Sequence, residues 1–190
     1  MKYAIPGIAL MAALAVLASM VPATQAAEQE YLGMTACKMC HKDQYAVWET
    51  KAHKKAFELL KSPESVAIGK EKGLATPPSE APECLVCHVT SYDAKTKKIH
   101  AKIKMKDGVS CESCHVASKD HQKFGMATRM KKDTSGMEKG VRKGTKEDCE
   151  KCHNEKSPSW NPERYTLEDG TKTGFDFKQA YKKIEHPLKK

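Results

Sequence analysis

The chain has 190 residues, with 33 Lys and Arg against 24 Asp and Glu, for a formal net charge of +9 at neutral pH. Only 6% of it is aromatic, and so few large apolar side chains cannot fill an ordinary core at this length; something else must occupy the middle. The basic excess does not signal nucleic-acid binding, because the lysines fall on no helix with interleaved base-stacking aromatics.

Taken in chain order, Lys2 is followed by an apolar, uncharged run from Ile5 to Met20, and Thr24 and Ala26 are small residues just before Ala27. This layout predicts a secretory signal peptide over residues 1–26, cleaved to leave 27–190 as one domain. A retained membrane anchor is the competing reading, but the run is shorter than the roughly 20 apolar residues a span needs. No other apolar stretch could cross a bilayer.

Within the domain the clearest helix is predicted over Lys42 to Lys61, free of Gly and Pro, with Tyr45, Trp48, Ala52, Ala56 and Leu59 at helical spacing. Ser62-Pro63 stops it. Residues 62–83 are punctuated by prolines and read as a loop with one short helix. A small hairpin is expected around Asp93-Ala94-Lys95, and residues 116–145 read as polar loop with short helical turns. The tail from Phe175 to Glu185 places Phe177, Ala180, Tyr181 and Ile184 on one helical face. The predicted fold class is mainly α with long loops.

All eight cysteines fall in four copies of one pattern: Cys37/Cys40/His41, Cys84/Cys87/His88, Cys111/Cys114/His115 and Cys149/Cys152/His153. The Cys-x-x-Cys spacing lets two thiols add to the two vinyl groups on one porphyrin edge, and the next residue, His, reaches the iron as proximal ligand. Structural zinc, disulfides and thioredoxin-type redox pairs also use paired cysteines. None of them requires His after every second cysteine. With 8 His in 190 residues, four such placements arise by chance about once in several hundred thousand. The pattern predicts four covalently bound haems c, flat apolar discs that would form the core of a single small multihaem domain. Ionised propionates would offset part of the lysine excess, and export fits, since this attachment is made outside the cytoplasm.

Four histidines remain, His53, His100, His121 and His186, enough to give every iron a second axial ligand. Met34, Met39, Met105, Met126, Met130 and Met137 are the rival ligands. If the helix after the first motif is continuous, His41 and His53 stand about 18 Å apart along it, whereas two histidines on one iron have Cα atoms at most about 13 Å apart. His53 is therefore expected to serve a haem other than the one on Cys37 and Cys40. The other pairings stay open.

The sequence resembles the cytochrome c554 family, tetrahaem electron acceptors of hydroxylamine oxidoreductase in ammonia oxidisers. The resemblance is carried by Cys37-Lys-Met-Cys-His41 running into Trp48, Thr50, Ala52-His53 and Ala56, and by Cys84-Leu-Val-Cys-His88-Val89. It continues through Gly108-Val109-Ser110-Cys111-Glu112-Ser113-Cys114-His115, Asp120-His121, Cys149 to His153, and the Phe175-Asp-Phe177 tail ending at His186. It implies closely packed haem pairs, with His53, His121 and His186 as distal ligands and an open sixth position on the Cys84/Cys87 haem. His100 departs from the family pattern, and the hairpin around Asp93 leads us to expect it as the sixth ligand of that haem or of its neighbour.

The expected function is electron transfer between redox partners in the periplasm, or secreted or at the cell surface, by low-potential haems with two histidine ligands. No catalytic cluster stands out, so no enzyme activity is expected. Donor and acceptor would dock through lysines, either on the run from Arg129 through Lys131 and Lys132 to Lys146 or on Lys182, Lys183, Lys189 and Lys190. No nucleic-acid partner, and no membrane anchor after cleavage, is expected. Two alternatives are a nitrogen-oxide reductase at a five-coordinate Cys84/Cys87 haem and a subunit of a conducting cytochrome filament.

Overall fold

The computed structural model describes residues 30–117, 121–123, 125–127, 141–142 and 144–186. The expected signal peptide, Met130, Met137 and the lysine sites Arg129, Lys131, Lys132, Lys189 and Lys190 lie outside them. The path is mainly helical: α1 (Met34–Cys40), α2 (Lys42–Glu49), α3 (Ala56–Leu59), α4 (Pro63–Glu71), α5 (Pro82–His88), a 3-10 turn (Met105–Asp107) and α6 (Cys111–Cys114). Then follow β1 (Val116–Ala117), β2 (Val141–Arg142), α7 (Lys146–Glu150), β3 (Tyr165–Thr166), β4 (Lys172–Thr173) and α8 (Phe177–Ile184). β1 pairs antiparallel with β2, and β3 with β4, in two-residue ladders. Mainly α with long connections is the class the sequence predicts.

The boundaries follow local chemistry. Pro63 opens α4 and the Ser62 side chain accepts the Ser65 N–H at 3.1 Å, a proline and a hydroxyl in the positions that favour a helix start. Asp176 caps α8 in the same way, accepting from Gln179 N at 2.8 Å. Asp93 bridges to Lys98, and its carboxylate accepts the N–H groups of Lys95 and Thr96, so the expected hairpin forms.

The long helix expected over Lys42 to Lys61 does not run through. It ends at Glu49 and resumes at Ala56. The His53 carbonyl accepts the Val109 N–H at 3.0 Å, and the Trp48 indole donates to the Val109 carbonyl at 2.9 Å. Gly108 makes this approach possible. Its φ is +58°, and a Cβ there would lie 2.5 Å from His53 O, a conformation and a clearance that only glycine supplies. The segment exchanges helical hydrogen bonds for tertiary ones, which sequence periodicity does not register.

Leu60, Ala81, Cys84, Leu85 and Val89 form a small buried cluster, with Phe57, Leu74, Tyr92, Ile99 and Met105 packed against it. Beside it, Thr90 ties the second motif to the third. Its hydroxyl donates to Gly108 O at 3.1 Å, accepts from Ser110 N at 2.7 Å and meets Ser113 Oγ at 2.8 Å. Each such buried bond contributes about 1 kcal/mol.

Candidate haem-ligation sites

Each motif sits on a turn of helix. His41 N donates to Cys37 O at 2.9 Å, His115 N to Cys111 O at 2.8 Å and His153 N to Cys149 O at 2.9 Å, while His88 is the last residue of α5. Residues i, i+3 and i+4 of a helix share a face. Two thiols and one imidazole therefore converge on one side of each turn, as attachment of one planar group at two points and at its metal requires. None of the eight cysteines forms a disulfide. Among the described residues no three His, Cys, Asp or Glu side chains cluster closely enough to hold a bare metal ion, which speaks against the zinc reading.

The histidines meet in twos. His41 faces His121 with ring centres 6.2 Å apart and planes within 11° of parallel; His53 faces His153 at 6.1 Å; His115 faces His186 at 5.8 Å. Two imidazoles on opposite sides of one metal ion, each with its nitrogen about 2 Å from it and its ring centre about 1 Å further, have centres about 6 Å apart. All three pairs match that spacing, and each joins one motif histidine to one histidine from elsewhere in the chain. His53 thus lies against the histidine of the fourth motif and not against that of the first. The discontinuity after Glu49 removes the unbroken helix on which the expected separation of His41 and His53 was based.

His88 differs. Its Nδ1 lies 2.7 Å from the Ala56 carbonyl, which fixes the ring and leaves Nε2 for a metal. Among the described residues no histidine ring pairs with it. A cavity of about 450 Å³ opens over it, lined by Leu60, Leu74, Cys84, Cys87 and His88 with exposed Lys156 and Arg164. His100 is not on that lining. Its ring packs on Tyr31 at 5.2 Å, and its Nδ1 accepts from Lys102 N at 3.3 Å. The hairpin expected to bring His100 to the Cys84/Cys87 haem or its neighbour forms, and it places the ring against Tyr31 of the N-terminal segment.

Burial holds His41, His53, His115 and His153 below the ordinary imidazole range, with neighbouring charge adding to the effect: His121 at His41, His153 at His53, His186 at His115 and Arg164 at His153. A depressed value keeps the ring neutral, the form that ligates a metal. The Arg142 backbone accepts from the His115 ring, pulling the other way and orienting the imidazole.

The cysteines show which motifs are neighbours. Cys37 and Cys111 share a hydrogen bond, which pushes Cys37 up and Cys111 down. Cys87 and Cys152 do the same, Cys87 falling to about 7. Burial, then the nearby Cys149, pushes Cys114 up to about 11. The first motif therefore lies beside the third and the second beside the fourth, with Cys114 and Cys149 linking the two groups. Near that link, the Asp148 carboxylate is held well below the usual range, chiefly by Arg142, and the Thr145/Asp148 capping box fixes α7 under Cys149.

Sequence reasoning named candidate ligands but not the groups that position them. The Ala56 carbonyl, the Arg142 backbone and the Thr90 hydroxyl have no residue-type signature. Gly108 alone carried a signal, a glycine three residues ahead of a motif cysteine.

These residues fit haem c, with two thiols and one proximal imidazole per motif and a second imidazole at three of them. The family model for cytochrome c554 and c-prime matches residues 36–116. Cytochrome c-554 of Nitrosomonas europaea is 30% identical over 178 residues, spanning 84% of this chain and 75% of that protein. The solved structure of reduced cytochrome c554 from the same organism superposes with a TM-score of 0.48 at 24% identity, over 83% of this chain and 77% of that one. The motifs and the extent of the sequence match together show that the chain belongs to the cytochrome c554 family, as a c-type cytochrome with covalently bound haem c that serves electron transfer.

Proposed function

We propose that the protein is an exported tetrahaem electron carrier in which three haems have two histidine ligands and the Cys84/Cys87 haem has His88 as its one protein ligand. The set of three imidazole pairs near 6 Å carries this reading. When bound, haem c supplies a one-electron iron couple, and histidine rather than methionine as the second ligand sets a low potential. The chain's own part is positional. His41, His115 and His153 hold the proximal side, His121, His186 and His53 the distal side, and burial keeps the shifted rings neutral. Neighbouring motif cysteines bring the four sites into one row, in the order first, third, fourth, second, so that electrons need cross only short gaps. Lys182 and Lys183, exposed on α8, would steer an acidic redox partner. Enzymatic turnover is not part of this reading, and the periplasm is the compartment it implies.

That no second histidine ring pairs with His88 among the described residues favours one second reading, in which a small ligand such as nitric oxide binds the open position. Two measurements test both. The intact mass of the exported protein should equal residues 27–190 plus four haems; a smaller increment contradicts the tetrahaem claim. The visible spectrum should show about one high-spin haem in four that responds to nitric oxide. A wholly low-spin spectrum indifferent to nitric oxide contradicts the single-ligand assignment of His88.

A further inference from the structure

Glu112 lies between the two cysteines of the third motif and is only 3% exposed. A carboxylate in such a place is costly unless hydrogen-bonded. Its Oε1 accepts the Leu32 N–H at 2.6 Å and its Oε2 the Gly33 N–H at 2.9 Å, across 80 and 79 residues of sequence. Gly33 directly precedes α1, the helix that carries Cys37 and Cys40. Its positive φ, +82°, turns the backbone so that consecutive N–H groups reach one carboxylate, and a Cβ there would meet Lys102 O at 2.5 Å. The carboxylate thus holds the entry to the first motif from inside the third, where Cys37 and Cys111 already touch. The surroundings register its charge: after burial, Glu112 is the largest influence holding the Tyr31 hydroxyl above its ordinary range, and Cys37 also feels it.

We propose that Glu112 is a positioning residue shared by the first and third haem sites, one that clamps residues 32–33 and places a buried negative charge lowering the potential of both haems. The inference rests on the reading that haem c occupies these motifs. A fixed anion near an iron disfavours the added electron, and in a partly buried setting a single charge changes a reduction constant on the order of tenfold. Neither effect needs Glu112 to touch the cofactor. The second motif has Leu85 at the same place, and the fourth has Glu150, which is exposed and pairs with Lys146 instead of backbone N–H groups.

The test compares native holoprotein with Glu112→Gln, Glu112→Asp and, as a surface control, Glu168→Gln, whose parent side chain is 95% exposed. Intact mass first establishes the haem count, which tests the underlying reading separately. Redox titration followed by NMR of the haem methyl signals then resolves each haem. Glu112→Gln should raise the reduction constants of the Cys37/Cys40 and Cys111/Cys114 haems about tenfold, equal to about 59 mV for one electron, and move the other two less. Glu112→Asp should stay near native, and Glu168→Gln should move nothing. Equal shifts at all four haems, or none in a fully loaded Glu112→Gln protein, would overturn the proposal. If Glu112→Gln does not take up four haems, amide exchange in the native holoprotein decides. Slow exchange at Leu32 and Gly33 supports the clamp; exchange as fast as at the exposed Glu30 overturns it.

Discussion

The three paired sites and the His88 site are built from the same five-residue motif, yet the chain treats them differently. At each paired site a histidine arrives from far along the sequence, and closing the pair closes a loop. His41 to His121, His53 to His153 and His115 to His186 each span dozens of residues. At His88 the ring's partner is a backbone carbonyl, that of Ala56, and among the described residues no second histidine ring faces it. On the proposed reading, the paired sites with haem bound would do the work of a hydrophobic core in a protein richer in large side chains. The His88 site rests on the apolar cluster found among the described residues, Leu60, Ala81, Leu85 and Val89. On that reading, ligation would maintain the fold at three sites, whereas at the fourth the fold would maintain the ligand.

The largest expected effect comes from breaking a pair. His53→Ala removes the partner of His153 and should convert one low-spin haem to high-spin, visible in the EPR spectrum, with stability falling by about 3 kcal/mol from lost ligation and the cavity left behind. Gly108→Ala attacks the same pair indirectly. The +58° φ and the 2.5 Å approach to His53 O leave no room for a methyl group, so about 2–3 kcal/mol should be lost. Thermal melting measures both. If Gly108→Ala melts as the native protein does, the link from Gly108 to the His53 site is wrong.

Acid offers a graded version. Burial, then His153 and His88, holds His53 below its ordinary value, so the folded state binds fewer protons there than the unfolded chain. Stability should be level above about pH 6.5, the unfolded imidazole value, and fall as pH drops from there through the depressed folded value. Bound iron competes with the proton for the ring nitrogen, so high-spin absorbance should grow only at lower pH than this window. A melting temperature constant from pH 7 to 4 would contradict the buried, neutral state of His53.

How far the sequence alone reaches follows the same division. Contiguous chemistry was legible. The four motifs name eight cysteines and four proximal histidines outright, and the count of the rest pointed to distal ligands. Local signals gave the stop at Ser62-Pro63, the helical tail after Phe175 and the turn at Asp93; that Ser62-Pro63 also opens α4 was not read from them. What could not be read was where segments far apart in sequence come to rest. The break after Glu49 exists because Val109 donates to His53 O and receives the Trp48 indole, bonds between residues more than fifty positions apart. The fate of His100 was hidden for the same reason. A hairpin specifies that the chain turns back, not which neighbour lies beside its returning arm.

Trp48→Phe tests the more ordinary part of the scaffold. The indole N–H bond to Val109 O at 2.9 Å is lost while most of the ring volume stays. The Val109 carbonyl loses a partner, so the cost should be about 1–2 kcal/mol. The haem spectrum should be native, because the bond supports the approach of α2 to the third motif without supplying a ligand. Chemical denaturation of the variant with its visible spectrum recorded in parallel separates the two outcomes. A change of spin state at native-like stability would mean that Trp48 acts on a haem directly.

The smallest expected effect, His100→Ala, bears most directly on the comparison. His100 lies against Tyr31, its Nδ1 accepts from Lys102 N, and its own N–H donates to Ser91 Oγ at 3.0 Å. The backbone bond survives substitution; the ring contact and one exposed hydrogen bond do not. Such losses cost on the order of 0.5–1 kcal/mol. The proportion of high-spin haem should not change, because the ring lies outside the cavity over His88. Nitric oxide should bind native and variant proteins to the same extent. A variant that gains a high-spin haem absent from the native protein would place His100 on iron after all. All four sites would then be paired, and the contrast between ligation that holds the fold and a fold that holds its ligand would dissolve.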